Sequence, residues 1–347
     1  MYILAINCGS QTVKYKLYED RKEDLSLLEQ GEIKNIGFSG IKDHYQAIGE
    51  IMKRLGNYKG KIKAVGHRYV NGGTEFFEPE ILDREKLKKL KKYNKLAPLH
   101  NPYNFSGIEA VMDFMPEAKN VAVFDTYFYK DLPQKAWRYA LNKQVADKNN
   151  YRRLGFHGIS HEYALEAAAR ELGEKPEKMS LISIHLGGGA SITAVKNGKA
   201  IDTSMGWTPL EGLMMMTRCG DLDAGIILDL MRQGMKKEAI DELLNQKSGL
   251  YGLCGKQAML DVLDNLDDPA VKLAFDIFIY RIKKYVGAYW AVLEGCKAIV
   301  FTGTVGAGRP ETREAIMKGM SCLGKIRVLT VKTDEEKIIA RQTRKKV

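Results

Sequence analysis

Long apolar runs, paired cysteines and acidic charge are what this 347-residue chain has little of. No apolar stretch approaches the roughly 20 residues that a membrane-spanning helix needs, and Met1 leads into a β-prone run instead of a basic and then apolar leader. These absences argue against a membrane partner and set the expectation of a cytoplasmic protein. The five cysteines, Cys8, Cys219, Cys254, Cys296 and Cys322, are odd in number and show neither Cys-x-x-Cys nor ligand-like spacing, which argues for reduced thiols and against a zinc site. Asp and Glu number 43 against 54 Lys and Arg, a formal net charge of +11. Such an excess fits nucleic acid or anionic small molecules, yet much of it lies in residues 86–92 and 341–346. On a helix, Leu87 and Leu90 would face inward with the lysines solvated, so no nucleic-acid partner is expected. What the chain has in quantity is apolar residues, 45% of the total, ample for two domains with their own cores.

One stretch in each half carries the same pattern. The apolar run from Tyr2 to Ile6 is cut by Asn7-Cys8-Gly9-Ser10 and resumes as Val13, Tyr15 and Leu17 in period-two alternation, so two strands flank a tight turn. Gly9 lets backbone N–H groups point inward, Ser10 and Thr12 add hydroxyls, and Lys14 adds a positive charge, a set suited to phosphate. Taken alone, it reads better as an ordinary polar hairpin, since short Gly-Ser turns between strands are common. Residues 179–185 form a second β-prone run, broken by Leu186-Gly187-Gly188-Gly189-Ala190, followed by an alternating strand and the Asn197-Gly198 hairpin signal. A repeated strand, glycine turn and strand implies two related α/β domains, each giving one loop to a phosphate chain in a cleft between them; by fold-level analogy alone this resembles two duplicated domains of the actin and ribonuclease-H type. The polar, weakly periodic interval 133–153 places the boundary at 148/149, giving domains 1–148 and 149–347, with the last helix packing back on the first domain.

Between these landmarks, residues 40–55 have helical periodicity with Ile41, Tyr45, Ile48, Ile51 and Met52 on one side. A short strand at 61–65 runs into Gly66-His-Arg-Tyr-Val-Asn-Gly-Gly73, which puts Arg68 at a strand's C-terminal end, where α/β sheets collect ligands. Two prolines make Leu96-Ala-Pro-Leu-His-Asn-Pro102 irregular, and a helix is expected over 104–115 with Asn104 near its N-cap. The strand 121–124 ends in Asp125, either a polar stop or a cleft residue. His157 and His161 are four apart, as zinc ligands on a helix are, but Gly158 intervenes and no acidic ligand follows, so this loop is better suited to an anion. Residues 202–223 form a long loop, which is usually functional. Helices are expected at 224–232, 236–245 and 269–294. A strand at 298–302 enters a third glycine turn, Gly303-Thr-Val-Gly-Ala-Gly308, before a last strand and a terminal helix from Asp334.

In order and over essentially the whole chain, these motifs resemble the acetokinase family. The most specific are Gly66 to Gly73, Leu96 to Pro102, Phe124-Asp-Thr126, Gly155-Phe-His-Gly158, and Asp202-Thr-Ser-Met-Gly-Trp-Thr-Pro-Leu-Glu-Gly212 with Thr217-Arg218. The resemblance implies reversible phosphoryl transfer between ATP and acetate, giving acetyl phosphate and ADP with Mg²⁺ or Mn²⁺. It assigns Asn7 and Glu335 to the metal-bound phosphates. Ser10, Thr12 and Lys14, then His185, Gly187, Gly188 and Gly189, then Thr304, Val305 and Gly306 fall to the nucleotide. Arg68 and Arg218 bind carboxylate or phosphoryl oxygens, Asp125 lies near the acetate carboxyl, His157 contacts the transferred group and His100 supports it. Val70, Leu99, Phe156 and Pro209 line a methyl-sized acyl pocket. A homodimer through the second domain, using the helix at 269–294, is also implied.

The chain departs from the family pattern at several points. Gly188 stands in place of Asn, Tyr129 in place of a histidine, and Thr304-Val-Gly-Ala-Gly308 in place of a Gly-Ile-Gly-Glu-Asn run at the nucleotide. Three alternatives follow: an acetate kinase using pyrophosphate or another donor, a propionate or butyrate kinase, and a ligand-binding sensor without catalysis.

Overall fold

The structure, a computed structural model, describes residues 1–21, 24–38 and 40–347. It contains two compact units: Met1–Lys130 with Phe156–Tyr163 and Asp334–Val347, and Asp131–Gly155 with Ala164–Thr333. This division differs from a single break at 148/149. The polar interval in which the boundary was expected folds into the helices Gln134–Trp137 and Lys143–Asn149 of the second unit, the latter capped by the Asn142 side chain. The chain then returns to the first unit twice.

The first unit is built on a six-stranded sheet. Its strands are β1 (Tyr2–Cys8), β2 (Val13–Arg21), β3 (Asp24–Ile33), β4 (Ile62–Tyr69), β5 (Glu80–Leu82) and β6 (Lys119–Phe124), in the order β3-β2-β1-β4-β6-β5. β1 runs antiparallel to β2 and parallel to β4, and β4 runs parallel to β6. β1 is apolar at nearly every position because both sheet faces are covered. Leu4 and Ile6 point one way, against Ala47, Ile48 and Ile51 of the helix His44–Leu55. Ile3 and Ala5 point the other way, against Ile338, Ile339 and Ala340 of the C-terminal helix Glu335–Lys346. Uncovering Ile338 and Ile339 would cost about 1.5–3 kcal/mol each, so that helix is integral to the unit.

Two local expectations are corrected. The helix His44–Leu55 buries positions 44, 47, 48, 51, 52 and 55. That stripe turns Tyr45 outward, 46% exposed, and turns His44 inward, where Nε2 donates to the Gly9 carbonyl at 2.7 Å. The next helix in question begins at Asn101, three residues before Asn104, because Pro102 is well tolerated in a first turn, where its missing N–H is no loss. Asn104 is therefore buried inside the helix. Its Oδ1 accepts from the Val70 N–H at 3.1 Å and its Nδ2 donates to the Cys8 carbonyl at 2.7 Å, which ties the ends of β1 and β4 together. The lysine-rich helix Arg84–Lys91 buries Leu87 and Leu90, as its periodicity implies.

The second unit repeats the plan with a five-stranded sheet, β7 (Leu181–Leu186), β8 (Ala190–Lys196), β9 (Lys199–Thr203), β10 (Ala298–Thr302) and β11 (Arg327–Thr330), in the order β11-β10-β7-β8-β9. β7 is antiparallel to β8 and parallel to β10. The opening strand of each sheet thus has a hairpin partner on one side and a parallel strand on the other. Asn197 and Gly198 both take positive φ, 51° and 76°, the geometry a tight hairpin turn requires. The long helix Pro269–Leu293 packs on β8. Among the described residues, no helix is long and apolar enough to cross a membrane.

Candidate active site

In the first unit, three polar side chains stand at the C-terminal ends of adjacent parallel strands: Asn7 on β1, Arg68 on β4 and Asp125 just past β6. Strand pairing brings Tyr69 beside Phe124, which fixes Arg68 next to Asp125 although they are far apart in sequence. The contact is bidentate, with Arg68 Nε on Asp125 Oδ1 at 2.9 Å and Nη2 on Oδ2 at 2.7 Å. Nη1 reaches Asn7 Oδ1 at 3.3 Å and Glu335 Oε2 at 3.4 Å. Asn7 Nδ2 in turn donates to Glu335 Oε2 at 2.9 Å and Glu336 Oε1 at 3.3 Å. Glu335 opens the C-terminal helix, whose start is fixed by Asp334 accepting from the Lys337 N–H at 3.0 Å and pairing with Lys16 at 2.8 Å.

Charge in this group is balanced toward the negative. Asp125 is 1% exposed, and burial raises its pKa against the downward pull of Arg68. Burial acts downward on Arg68, but Asp125 and Glu335 outweigh it and the net shift is upward. The bidentate geometry is that of a charged pair. Glu336 is also buried, its pKa raised by burial and then by neighbouring Glu335. Glu336 was not among the residues singled out from the sequence; its only signal is a run of acids, Asp334-Glu335-Glu336, at a helix start.

The loop that carries Phe156 and His157 is pressed onto Asp125. Gly158 donates to the Asp125 carbonyl at 3.0 Å, and a Cβ at Gly158 would collide with that oxygen. His157 is held in the left-handed region, φ 57°, and its backbone N–H lowers the Asp125 pKa. Tyr129, where the family pattern has a histidine, is buried and donates to the Phe156 carbonyl at 2.7 Å. His100 occupies the N-cap position of Asn101–Phe114, Leu99 beside it is 38% exposed, and Val70 is buried. In the β1–β2 turn Gly9 donates to the Thr12 carbonyl at 2.7 Å, leaving Ser10 and Lys14 exposed.

The second unit brings its two glycine segments together. β7 and β10 are parallel neighbours with His185 opposite Thr302, the His185 Nδ1 and Thr302 Oγ1 being 3.1 Å apart. Gly187 donates to the Gly189 carbonyl at 2.8 Å to close the β7–β8 turn. The residues after β10 form a short helical turn, Gly303–Gly306, instead of an open glycine turn. Arg313 makes this possible by donating to the carbonyls of Gly306 and Ala307 at 2.9 and 3.0 Å. Gly303, at φ 80°, lies so close to the Leu186 carbonyl that a Cβ would overlap it. Thr304 is exposed beside Gly187, with Val305 and Gly306 buried behind it.

Arg218 lies in the long loop after β9. It is 9% exposed, and its Nη1 donates to the Pro209 carbonyl at 3.1 Å and lies 3.5 Å from Met215 Sδ. Among the described residues no carboxylate of its unit pairs with it, and burial brings its pKa down to about 10. It is therefore still a cation at neutral pH, with an unmet demand for an anion. The loop is fastened by Arg153, Glu211 and Tyr139, none of which sequence reasoning singled out because each reads locally as an ordinary surface residue. Among the described residues, no group of three or more His, Cys, Asp or Glu is placed to hold a metal ion unaided.

Residues 2–346 match the model of the acetokinase family. The acetate kinase of Streptomyces avermitilis is 40% identical over 391 aligned positions, covering 98% of this chain and 96% of the relative. Among solved structures, the acetate kinase of Porphyromonas gingivalis superposes with a TM-score of 0.87 at 37% identity. A propionate kinase from Francisella tularensis superposes at 0.86 and 34% identity. Each covers 99% of both chains.

Proposed function

We propose a reaction from one premise: the chain belongs to the acetokinase family and is a kinase. The reaction is reversible transfer of the terminal phosphoryl group of ATP to the carboxylate of acetate, giving acetyl phosphate and ADP. The observation that carries it is the convergence of Asn7, Arg68 and Asp125 at three neighbouring strand ends with Glu335 against them. Acetate is ionised at neutral pH and needs no general base, so catalysis reduces to positioning and charge stabilisation.

In this reading Asp125 holds the Arg68 fork in one orientation. His157, whose backbone N–H is bound to Asp125, contacts the transferred phosphoryl in the same reading. Arg218, a buried cation without a carboxylate, neutralises charge developing on that group; contacts of this kind are worth about 10³ to 10⁵ in rate. The residues fit magnesium brought in by the nucleotide, because Mg²⁺ keeps several waters and needs one or two carboxylates plus phosphate oxygens. Glu335 supplies the carboxylate and Asn7 orients it; bound there, the ion would neutralise phosphate charge. Ser10, Thr12 and Lys14 in the first unit, and the turns of Gly187 to Gly189 and Thr304 to Gly306 in the second, bind the nucleotide.

Val70, Leu99, Phe156 and Pro209 favour acetate. Discrimination against one further methylene is limited to about 1–3 kcal/mol, so propionate is a slower substrate. A homodimer through the second unit is part of the same reading; there the helix Ala224–Arg232 buries none of its residues and exposes Ile226, Leu228 and Met231.

The test is acetyl phosphate trapped as its hydroxamate, from acetate and magnesium, with ATP, GTP or pyrophosphate as donor. Turnover with ATP is the expected result. Turnover with pyrophosphate alone would move the donor assignment to the altered Thr304 segment, and no turnover with any donor would overturn the enzyme.

A further inference from the structure

The loop from β9 to Arg218 contains no regular element, yet Ser204, Met205, Gly206, Gly212 and Leu213 are buried. Buried backbone without a ladder needs other partners, and one side chain meets three of its carbonyls. Arg153 Nη1 points at three successive carbonyls, Thr203 at 3.0 Å, Ser204 at 3.1 Å and Met205 at 3.2 Å. Its Nη2 donates to Glu211 Oε1 at 2.6 Å. The other Glu211 oxygen accepts from the Tyr139 hydroxyl, which itself accepts from the Trp207 N–H at 2.8 Å. A Cβ at Gly206 would overlap both the Glu211 carboxylate and the Tyr139 hydroxyl, so the segment closes tightly on this group.

Both ends of residues 203–211 are thereby drawn onto one carboxylate. Pro209 lies within that closed segment, and its carbonyl is the oxygen that accepts from Arg218. Proline fixes its own φ, so the direction of this carbonyl follows the placement of Glu211 two residues later. The arrangement also settles a question of charge. Glu211 is fully engaged by Arg153 and Tyr139, and the guanidinium of Arg218 is left without a carboxylate in its unit.

We propose that Tyr139, Arg153 and Glu211 are positioning residues for the phosphoryl transfer, acting through Pro209 to aim Arg218 and to keep its charge available for the transferred anion. The inference rests on the kinase reading above. A network that served only to hold the loop together would affect stability in the same way whatever residue stood at 218. A positioning network would affect rate only while Arg218 is there to be aimed.

The experiment is a double-mutant cycle of Tyr139→Phe with Arg218→Lys, read as kcat and as KM for acetate and ATP separately. Tyr139→Phe keeps the ring and removes the hydroxyl that bridges Glu211 and Trp207. The expected result is a fall in kcat of about tenfold with KM for ATP within about twofold, and less than about twofold further loss when the same change is made in the Arg218→Lys protein. Equal tenfold losses in both backgrounds would overturn the proposal, as would a lowered melting temperature with unchanged kcat per active site. Glu211→Gln, which keeps one oxygen to accept from Arg153 while its amide nitrogen can only donate to the Tyr139 oxygen, should retain more activity than Glu211→Ala; equal activities would count against the network. Wild-type turnover reports separately on the kinase assignment. If that failed, the same cycle read as affinity for inorganic phosphate would decide the positioning: coupling through Arg218 supports it, additivity overturns it.

Discussion

Arg68, half-buried, and Arg218, buried, stand in opposite electrostatic settings. Arg68 is gripped by Asp125 through two hydrogen bonds and faces Glu335 as well, so one positive charge meets two negative ones. Arg218 has a carbonyl and a thioether for company and no carboxylate in its unit. In the first unit the arginine is part of a preorganised acidic group suited to a cation-bearing phosphate and to holding the acceptor. In the second the arginine is buried with no carboxylate against it among the described residues of its unit, a setting that costs stability. The same residue type is thus placed in two different settings because its neighbours differ.

That contrast can be broken in four ways. Arg218→Met should give the largest effect, a loss in kcat of about 10³-fold or more, with unfolding in urea unchanged or shifted to higher concentration, since an unpaired buried charge has been replaced by an apolar chain of similar length. Next, Arg68→Met leaves Asp125 buried without its cation and should cost about 3–5 kcal/mol of stability. Adding Asp125→Leu should recover most of that stability and none of the activity, as urea melts and hydroxamate assays on the same samples would show.

Gly158→Ala should follow, at about 1–3 kcal/mol. The new methyl meets the Asp125 carbonyl, so thermal stability and activity should fall together; a neutral effect would mean the loop is not pressed on Asp125. The smallest effect concerns pH. Glu336 has its pKa raised above the ordinary 4.5 by burial and then by Glu335. As pH climbs from the ordinary value through the raised one, the unfolded chain releases this proton before the folded chain does, and the stability present below that window is lost across it. Glu336→Gln removes the loss, so the variant should gain on the wild type with rising pH through that window; parallel stability curves would contradict the burial of a charged Glu336.

Much of the fold was legible because its signals are local. Alternation at Val13, Tyr15 and Leu17, and the Asn197-Gly198 turn, specify strands and hairpins within a few residues, and their repetition in each half points to duplication. In the helix His44–Leu55 the expected stripe holds at Ile48, Ile51 and Met52 and fails at Tyr45, because Tyr45 and His44 are both amphipathic and His44 is the one that finds a partner inside, the Gly9 carbonyl. Asn104 reads as a cap in sequence, but its two partners come from the ends of other strands. The returns of the chain at 156–163 and 334–347 rest on long-range packing, Gly158 on Asp125 and Ile339 on β1, which no window of sequence contains.

The site was legible to the extent that family motifs mark positions. Arg68, Asp125 and Glu335 could be assigned from motif matches, whereas their mutual pairing follows from strand order. Tyr139, Arg153 and Glu211 carry no spacing signal, since a loop closed by one carboxylate has no period. Their role emerges from the hydrogen bonds they share.

The most direct test of the contrast is calorimetric binding of acetyl phosphate to the wild type and to Arg218→Met at one fixed ionic strength. The account predicts an affinity weaker by about tenfold to a hundredfold, the worth of a charge-assisted hydrogen bond, with the melting temperature unchanged or raised. An unchanged affinity, or a variant that loses several degrees of melting temperature, would mean that Arg218 is structural and that its charge is not held for the transferred group.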